Sequence, residues 1–209
     1  DFVTEADLMA ERIVIETIKK HYPDHAIHAE ESGVDGESDF TWVIDPLDGT
    51  TNYLHRFPVF CVSIGLMHKN VIEHAVVYDP IKQELFTASN GQGAHLDGKR
   101  IRVSGEKFLS RSLIGTGFPY RASNKNPEEY MSMLKLVIER TAGVRRPGAA
   151  AIDLWVRAAA RIRFLPAKIL FYFDPLTMFL PFQDPASGYF YCYTPANQNW
   201  KNENYNWRP

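Results

Sequence analysis

The 209-residue chain is 45% hydrophobic and 23% charged, enough apolar content to bury a sizeable core in one or two globular domains. A formal net charge of −2 argues against a surface that coats nucleic acid, and no apolar run approaches the length of a membrane span. Cys61 and Cys192 lie far apart and no secretory signal is present, which points to reduced thiols and a cytoplasmic protein.

A helix is predicted over 4–20, where Ala6, Ala10, Ile13, Val14, Thr17 and Ile18 recur at helical spacing. Thr4 with Asp7 fits a capping box, so the plain role of Asp7 is to cap that helix. Residues 22–26 read as a turn, 27–29 as a short strand delivering Glu30, and 34–39 as a polar loop. Strands are predicted over 40–44, 59–67, 71–78, 84–88 and 101–103, with His68-Lys69-Asn70 and Asp97-Gly98 as hairpin turns. Residues 1–104 thus read as a helix plus an antiparallel meander, an α+β unit.

Residues 112–116 read as a strand opening a second unit, 105–209. Asn126 caps a predicted helix with Pro127 at its first position, and Tyr130, Leu134, Val137 and Ile138 mark its buried face. A short strand at 144–146 follows. Gly148 then turns into a helix over 149–161, with Ile152, Trp155, Val156 and Ala159 facing inward. Strand–helix alternation gives this half an α/β organisation.

The densest chemistry lies at 42–52, Trp-Val-Ile-Asp-Pro-Leu-Asp-Gly-Thr-Thr-Asn. An apolar strand runs into Pro46, Gly49 permits a turn, and Asp45 and Asp48 stand three residues apart, with the hydroxyls of Thr50 and Thr51 following. Hard cations such as Mg²⁺ take oxygen ligands, usually one or two carboxylates with phosphate and water. On these residues alone two readings stand: a cation-binding turn, or a solvated Asp-Gly turn. Glu30-Glu31 alone reads as a solvated loop pair. No His-x-x-His or Cys pair suggests zinc, and no Walker lysine or dinucleotide glycine fingerprint occurs.

Asp45-Pro-Leu-Asp-Gly-Thr-Thr-Asn52 resembles the signature of the inositol monophosphatase family, the Mg²⁺-dependent, Li⁺-sensitive sugar-phosphate phosphatases. Three further segments resemble that family in order: Asp1-Phe-Val-Thr-Glu-Ala-Asp7, His28-Ala-Glu-Glu-Ser32, and Tyr53-Leu-His-Arg-Phe-Pro58 with Cys61-Val-Ser-Ile-Gly65. The likeness runs to about Ala160. It implies a layered αβαβα fold, a homodimer, and hydrolysis of myo-inositol 1-phosphate or a related phosphorylated polyol or sugar. Fructose 1,6-bisphosphate, histidinol phosphate and 3′-phosphoadenosine 5′-phosphate are further substrates within the class.

The resemblance also implies roles. Glu30, Asp45, Asp48 and the carbonyl of Leu47 would hold two or three Mg²⁺ ions. Glu30 and Thr50 would position the attacking water, with Asp7 bonded to Thr50. Asp48 and the backbone of Gly49, Thr50, Gly148, Ala149 and Ala150 would bind substrate. The family's remaining metal carboxylate falls on Asp174 when counted from Gly148, preceded by Phe173 in place of Trp; coincidence is the other reading. A substrate-contacting Glu falls on Ala167, and Ala149 replaces the usual Ser or Thr.

Both ends depart from the family. The chain opens on the first motif without a Met or the helix that precedes it in relatives, so a fragment is expected. After 160 the text is unlike the family and ends Asn-rich, so a loosely attached tail is expected, as if a frame change or alternative exon had replaced the native one. A catalytically impaired relative serving as a binding or dimerisation module is therefore the rival reading.

Overall fold

A computed structural model describes residues 3–102, 108–116 and 127–153, with short strands at 163–164, 182–183 and 190–191. The expectations for Asp1, Asn126, Trp155, Val156, Ala159, Ala167, Asp174, Cys192 and the Asn-rich end lie outside the described residues.

The first helix, α1, is Glu5–His21. Thr4 caps it: its hydroxyl accepts from Ala6 N–H at 3.2 Å and Asp7 N–H at 3.3 Å. Asp7 returns the bond by accepting from Thr4 N–H at 2.9 Å, which closes the capping box. Lys19, Lys20 and His21 in the last turn suit the negative end of the helix dipole. The buried side keeps Val14 and Ile18 of the expected stripe, with Ala6 and Ala10 half-buried, but not Ile13 or Thr17. It runs through Asp7, Glu11 and Ile18, with Val14 and Ile15 half-buried, whereas Ile13 is 54% exposed. The inward face is turned from the expected one because the carboxylates of Asp7 and Glu11 are more deeply buried than Ala6 and Ala10.

The main sheet has eight strands in the order β2-β1-β3-β4-β5-β6-β7-β8. They are β1 Ala26–Ala29, β2 Gly33–Asp35, β3 Phe40–Asp48, β4 Cys61–His68, β5 Val71–Asp79, β6 Glu84–Ser89, β7 Gly93–Leu96 and β8 Lys99–Arg100. β1 runs parallel to β3; the other pairs are antiparallel. The two expected hairpin turns form at Lys69-Asn70 and Asp97-Gly98, each with two consecutive positive φ angles, the twist a two-residue hairpin needs. Three expectations are corrected. Val34 and Asp35, expected in the 34–39 loop, belong to a strand, Gly33–Asp35. The strand at this end is Lys99–Arg100, just before the one predicted from Ile101, and Val103 lies outside the described residues. And β3 continues through Pro46 to Asp48, because the proline sits where the ladder is already broken.

Side chains alternate across the sheet and build apolar clusters on its faces, a small one of Val43, Met67 and Ile72 among them. On one face α1 packs through Val14, Ile15 and Ile18 against Ile27, Ala29, Ile44 and Ile64. On the other, Ala149, Ala151 and Ile152 pack against Cys61, Val77, Phe86 and Ala88. A second helix, α2, is Thr50–Leu54. A parallel sheet of three short strands follows, β9 Leu113–Gly115, β10 Gly143–Arg145 and β11 Arg163–Phe164, in the order β10-β9-β11. Its first crossover is helix α3, Pro127–Arg140. Tyr130 and Val137 of α3 are buried and Leu134 half-buried, as expected, but Ile138 is 58% exposed and Met133 is half-buried in its place. Residues 150–153 begin another helix.

Candidate functional site

The parallel pairing of β1 with β3 places Ala29 opposite Ile44 and lets Glu30 N–H donate to Ile44 O at 3.0 Å. Glu30 therefore leaves β1 beside Asp45. The two carboxyl groups are close enough for the Glu30 charge to add to burial and the Asp48 charge in raising the pKa of Asp45.

Asp45 and Asp48 are three residues apart, which would put them on opposite faces of a regular strand. A β-bulge changes this. Asp45 pairs with Ser63 and Asp48 with Cys61, so β3 takes three steps where β4 takes two. The extra residue returns Asp48 to the face of Asp45. Within the bulge Asp45 Oδ1 accepts from Leu47 N–H at 3.1 Å, and Asp45 Oδ2 is buried with no hydrogen-bond partner.

Gly49 follows at φ +101, a left-handed conformation. A Cβ there would lie 3.0 Å from Val59 O and 3.2 Å from Ala149 Cβ, so glycine is required twice over. The turn delivers Thr50 into α2, with its hydroxyl 3.1 Å from both Asp7 Oδ1 and Leu47 O. One hydroxyl carries one proton, so it donates to one of them at a time.

Asp48 is tied to the far segment. Its Oδ1 accepts from Ala150 N–H at 3.1 Å and its Oδ2 from Ala151 N–H at 2.6 Å. The Cys61 thiol donates to the same Oδ2 at 3.6 Å. Gly148, at φ +89, turns the chain into this helix start. The structure thus gathers Asp7, Glu30, Asp45, Leu47, Asp48, Gly49, Thr50, Ala149 and Ala150 around one bulge and one turn.

Electrostatics set this region apart. Burial, then the charges of Asp48 and Glu30, lift Asp45 well above the carboxylate range. Burial pushes Asp48 up to about 6, although the Ala151 and Ala150 N–H groups and the Cys61 thiol pull it down. Burial and the Asp48 charge push Asp153 up to about 8. The Gly148 N–H lowers that value without meeting hydrogen-bond geometry, and both Asp153 oxygens are buried without partners. Burial, then the charges of Asp7 and Glu11, raises Glu31. Crowded, desolvated carboxyl groups of one sign are what a bound cation would stabilise as anions.

A hard cation fits the donors present. Glu30 and Asp45, with the Leu47 carbonyl and the Thr50 hydroxyl, are all oxygens, and Asp45 Oδ2 lacks a protein partner. Among the described residues no three His, Cys, Asp or Glu side chains form a complete coordination set. The set on the page is two adjacent carboxylates plus neutral oxygens, with both Asp48 oxygens engaged by N–H groups.

Sequence reasoning passed over three residues here. Glu11, 4% exposed, accepts from Glu31 N–H at 2.9 Å and Ser32 N–H at 3.0 Å, and so fixes the loop carrying Glu30. Its only signal was its spacing of four from Asp7. Asn52, buried in α2, donates to Val59 O at 2.8 Å and Pro147 O at 2.9 Å. Asp153 gave no signal beyond a charge inside an otherwise apolar stretch.

The sequence model of the inositol monophosphatase family matches residues 1–166. The chain is 51% identical over 166 residues to a Nus factor SuhB of Pseudomonas aeruginosa, covering 77% of this chain and 61% of that protein. It is 48% identical over 164 residues to the Nus factor SuhB of Escherichia coli K12, covering 78% and 61%. Among solved structures, the inositol monophosphatase of Anabaena superposes with a TM-score of 0.71 at 44% identity, over 78% of this chain and 65% of that one. The suhB protein of Bartonella henselae gives 0.74 at 40% identity, over the same shares. The chain thus spans about three fifths of the length of the curated relatives it matches. With the family match over most of its length and these superpositions, the chain belongs to the inositol monophosphatase family and has its mixed α/β fold.

Proposed function

We propose that the chain hydrolyses a small phosphate monoester in a Mg²⁺-dependent way, with myo-inositol 1-phosphate as the first substrate to test. One observation carries this reading: Asp45 Oδ2, buried and without a partner, lies in a carboxylate beside both Glu30 and Asp48. Glu30, Asp45, Asp48 and the Leu47 carbonyl would hold the ions, with Asp174 as a further carboxylate. Bound Mg²⁺ would neutralise phosphoryl charge and acidify a water. Thr50 and Glu30 would orient that water, and Asp7, accepting from Thr50, would draw its proton along that bond. The N–H groups of Gly49 and Thr50, at a left-handed turn into a helix, would hold phosphate oxygens. Gly148, Ala149 and Ala150 would close the substrate side.

The test is phosphate release from inositol 1-phosphate by this chain, with and without Mg²⁺, beside Asp45→Asn. Release that needs Mg²⁺ and disappears in the variant supports the reading. Release no greater than that of Asp45→Asn would end it. Fructose 1,6-bisphosphate, histidinol phosphate and 3′-phosphoadenosine 5′-phosphate rank the substrate class.

A second reading rests on the 51% identity to a relative named as a Nus factor. In it the chain acts as part of an assembly, and the carboxylate cluster serves as a structural cation site. Mg²⁺ that raises thermal stability without supporting turnover of any of these phosphates would favour it.

A further inference from the structure

The site draws on two stretches far apart in sequence: the bulge and turn at 45–50, and the turn at 147–151. Asn52 joins them. Its amide nitrogen donates to Val59 O at 2.8 Å, just after α2, and to Pro147 O at 2.9 Å, across 95 residues of chain. Both partners are carbonyls, which only accept, so the nitrogen of the amide must face them and both its protons are used. The contact leaves no slack. A Cβ on Gly148 would lie 3.2 Å from Asn52 Nδ2 and 3.3 Å from Asn52 Oδ1. The residue is only 9% exposed, so water cannot easily replace its side chain.

We propose that Asn52 is a positioning residue that sets the 147–151 turn against the 45–50 turn and so aligns the phosphate-binding backbone groups of the site. This rests on the phosphatase reading above. Asp48 makes a second tie, through Ala150 and Ala151 N–H, but its carboxylate is also needed for cation and substrate. Asn52 bears no charge and lies in neither set of proposed ligands. It can hold the register while Asp48 exchanges partners. Its loss should loosen the phosphate side and leave Glu30 and Asp45 as they are.

The experiment compares wild type with Asn52→Ala and Asn52→Ser in three readouts. The first is amide hydrogen exchange of residues 148–151, Pro147 having no amide proton. The second is binding of inorganic phosphate in saturating Mg²⁺. The third is Mg²⁺ binding without phosphate. Removing the two bonds should speed exchange and weaken phosphate binding by about 10-fold each, with Mg²⁺ affinity changed by less than about 2-fold. Serine has one hydroxyl proton and can reach at most one carbonyl, so Asn52→Ser should fall between; it also decides the matter if Asn52→Ala does not fold. Where turnover is measurable, KM should rise more than kcat falls. A purely structural role would instead lower kcat through the active fraction and leave KM alone. Unchanged exchange, or faster exchange with unchanged phosphate affinity, overturns the role of Asn52. Wild-type protein that binds no phosphate in Mg²⁺ overturns the phosphatase reading itself, and exchange then reads the Asn52 tie separately.

Discussion

The Thr50 hydroxyl lies 3.1 Å from Asp7 Oδ1, tying the first turn of α1 to the turn that follows β3. The other Asp7 oxygen accepts from the Thr4 backbone and hydroxyl, so one carboxylate both caps a helix and holds a site hydroxyl. The capping role of Asp7 is therefore compatible with the catalytic role proposed for it. They separate by substitution. Thr50→Val removes the hydroxyl at constant shape and leaves the cap whole. It should cost about 1 kcal/mol or less in stability and slow Mg²⁺-dependent turnover by roughly 100-fold or more. Turnover within a fewfold of wild type would take Thr50 and Asp7 out of the chemistry.

Glu11 gives the second prediction. Its two oxygens each hold one backbone N–H of the Glu31–Ser32 loop. Glu11→Ala removes both acceptors, but Glu31 is half-buried and Ser32 exposed, so water takes over part of the bonding and the loss is about 1 kcal/mol by denaturant unfolding. Because that loop carries Glu30, Mg²⁺ affinity should fall as well. Glu11→Gln keeps one acceptor and should lose about half as much stability. Equal stability of Glu11→Ala and wild type would show that the loop holds itself.

Much of this arrangement was legible in the sequence, and what was not has a physical reason. β3 and Asp45 were readable because the run from Phe40 to Ile44 is apolar and β-branched. The capping box was readable because Thr4 and Asp7 are local. The bulge was not, since register exists only once β3 meets β4. Glu11 was hidden because an apolar stripe was sought, and carboxylates form part of the inward face. β2 escaped because three residues, Gly33–Asp35, carry too little alternation to register as a strand. Asn52 escaped because its partner Pro147 O lies 95 residues on.

Asp153 gives the third prediction, a pH dependence. Burial and the Asp48 charge raise its pKa to about 8, from 3.8. A raised carboxyl pKa means that the folded chain holds a proton the unfolded chain gives up. The stability it contributes is fully present below about pH 4 and is lost as pH rises towards 8. Asp153→Asn is neutral at every pH. Its stability relative to wild type should be near equal at pH 4.5 and greater by a few kcal/mol, in order of magnitude, at pH 8 without added metal. The same difference at both pH values would mean that Asp153 does not titrate in this window.

The last prediction concerns the carboxylate that the described site lacks. Two Mg²⁺ ions need more charged oxygen than the adjacent Glu30 and Asp45 supply, and both Asp48 oxygens already accept N–H bonds. No third acid completes a set among the described residues. If two ions bind, a further carboxylate would come from elsewhere in the chain, and Asp174 stands where the family resemblance calls for one. The family match itself stops at residue 166, before Asp174. Asp174→Asn exchanges a charged oxygen for a neutral one at nearly constant shape. If Asp174 is a ligand, the variant should weaken binding of the second Mg²⁺ by about 10-fold or more and slow turnover, as should Asp48→Asn measured beside it. Binding of the first ion, held by Glu30 and Asp45, should be spared in Asp174→Asn and lost in Asp45→Asn. Identical Mg²⁺ titrations of wild type and Asp174→Asn would remove Asp174 from the site. The chain would then hold one ion well and a second only with help from phosphate oxygens, and a structural role for the cation site would become the stronger reading.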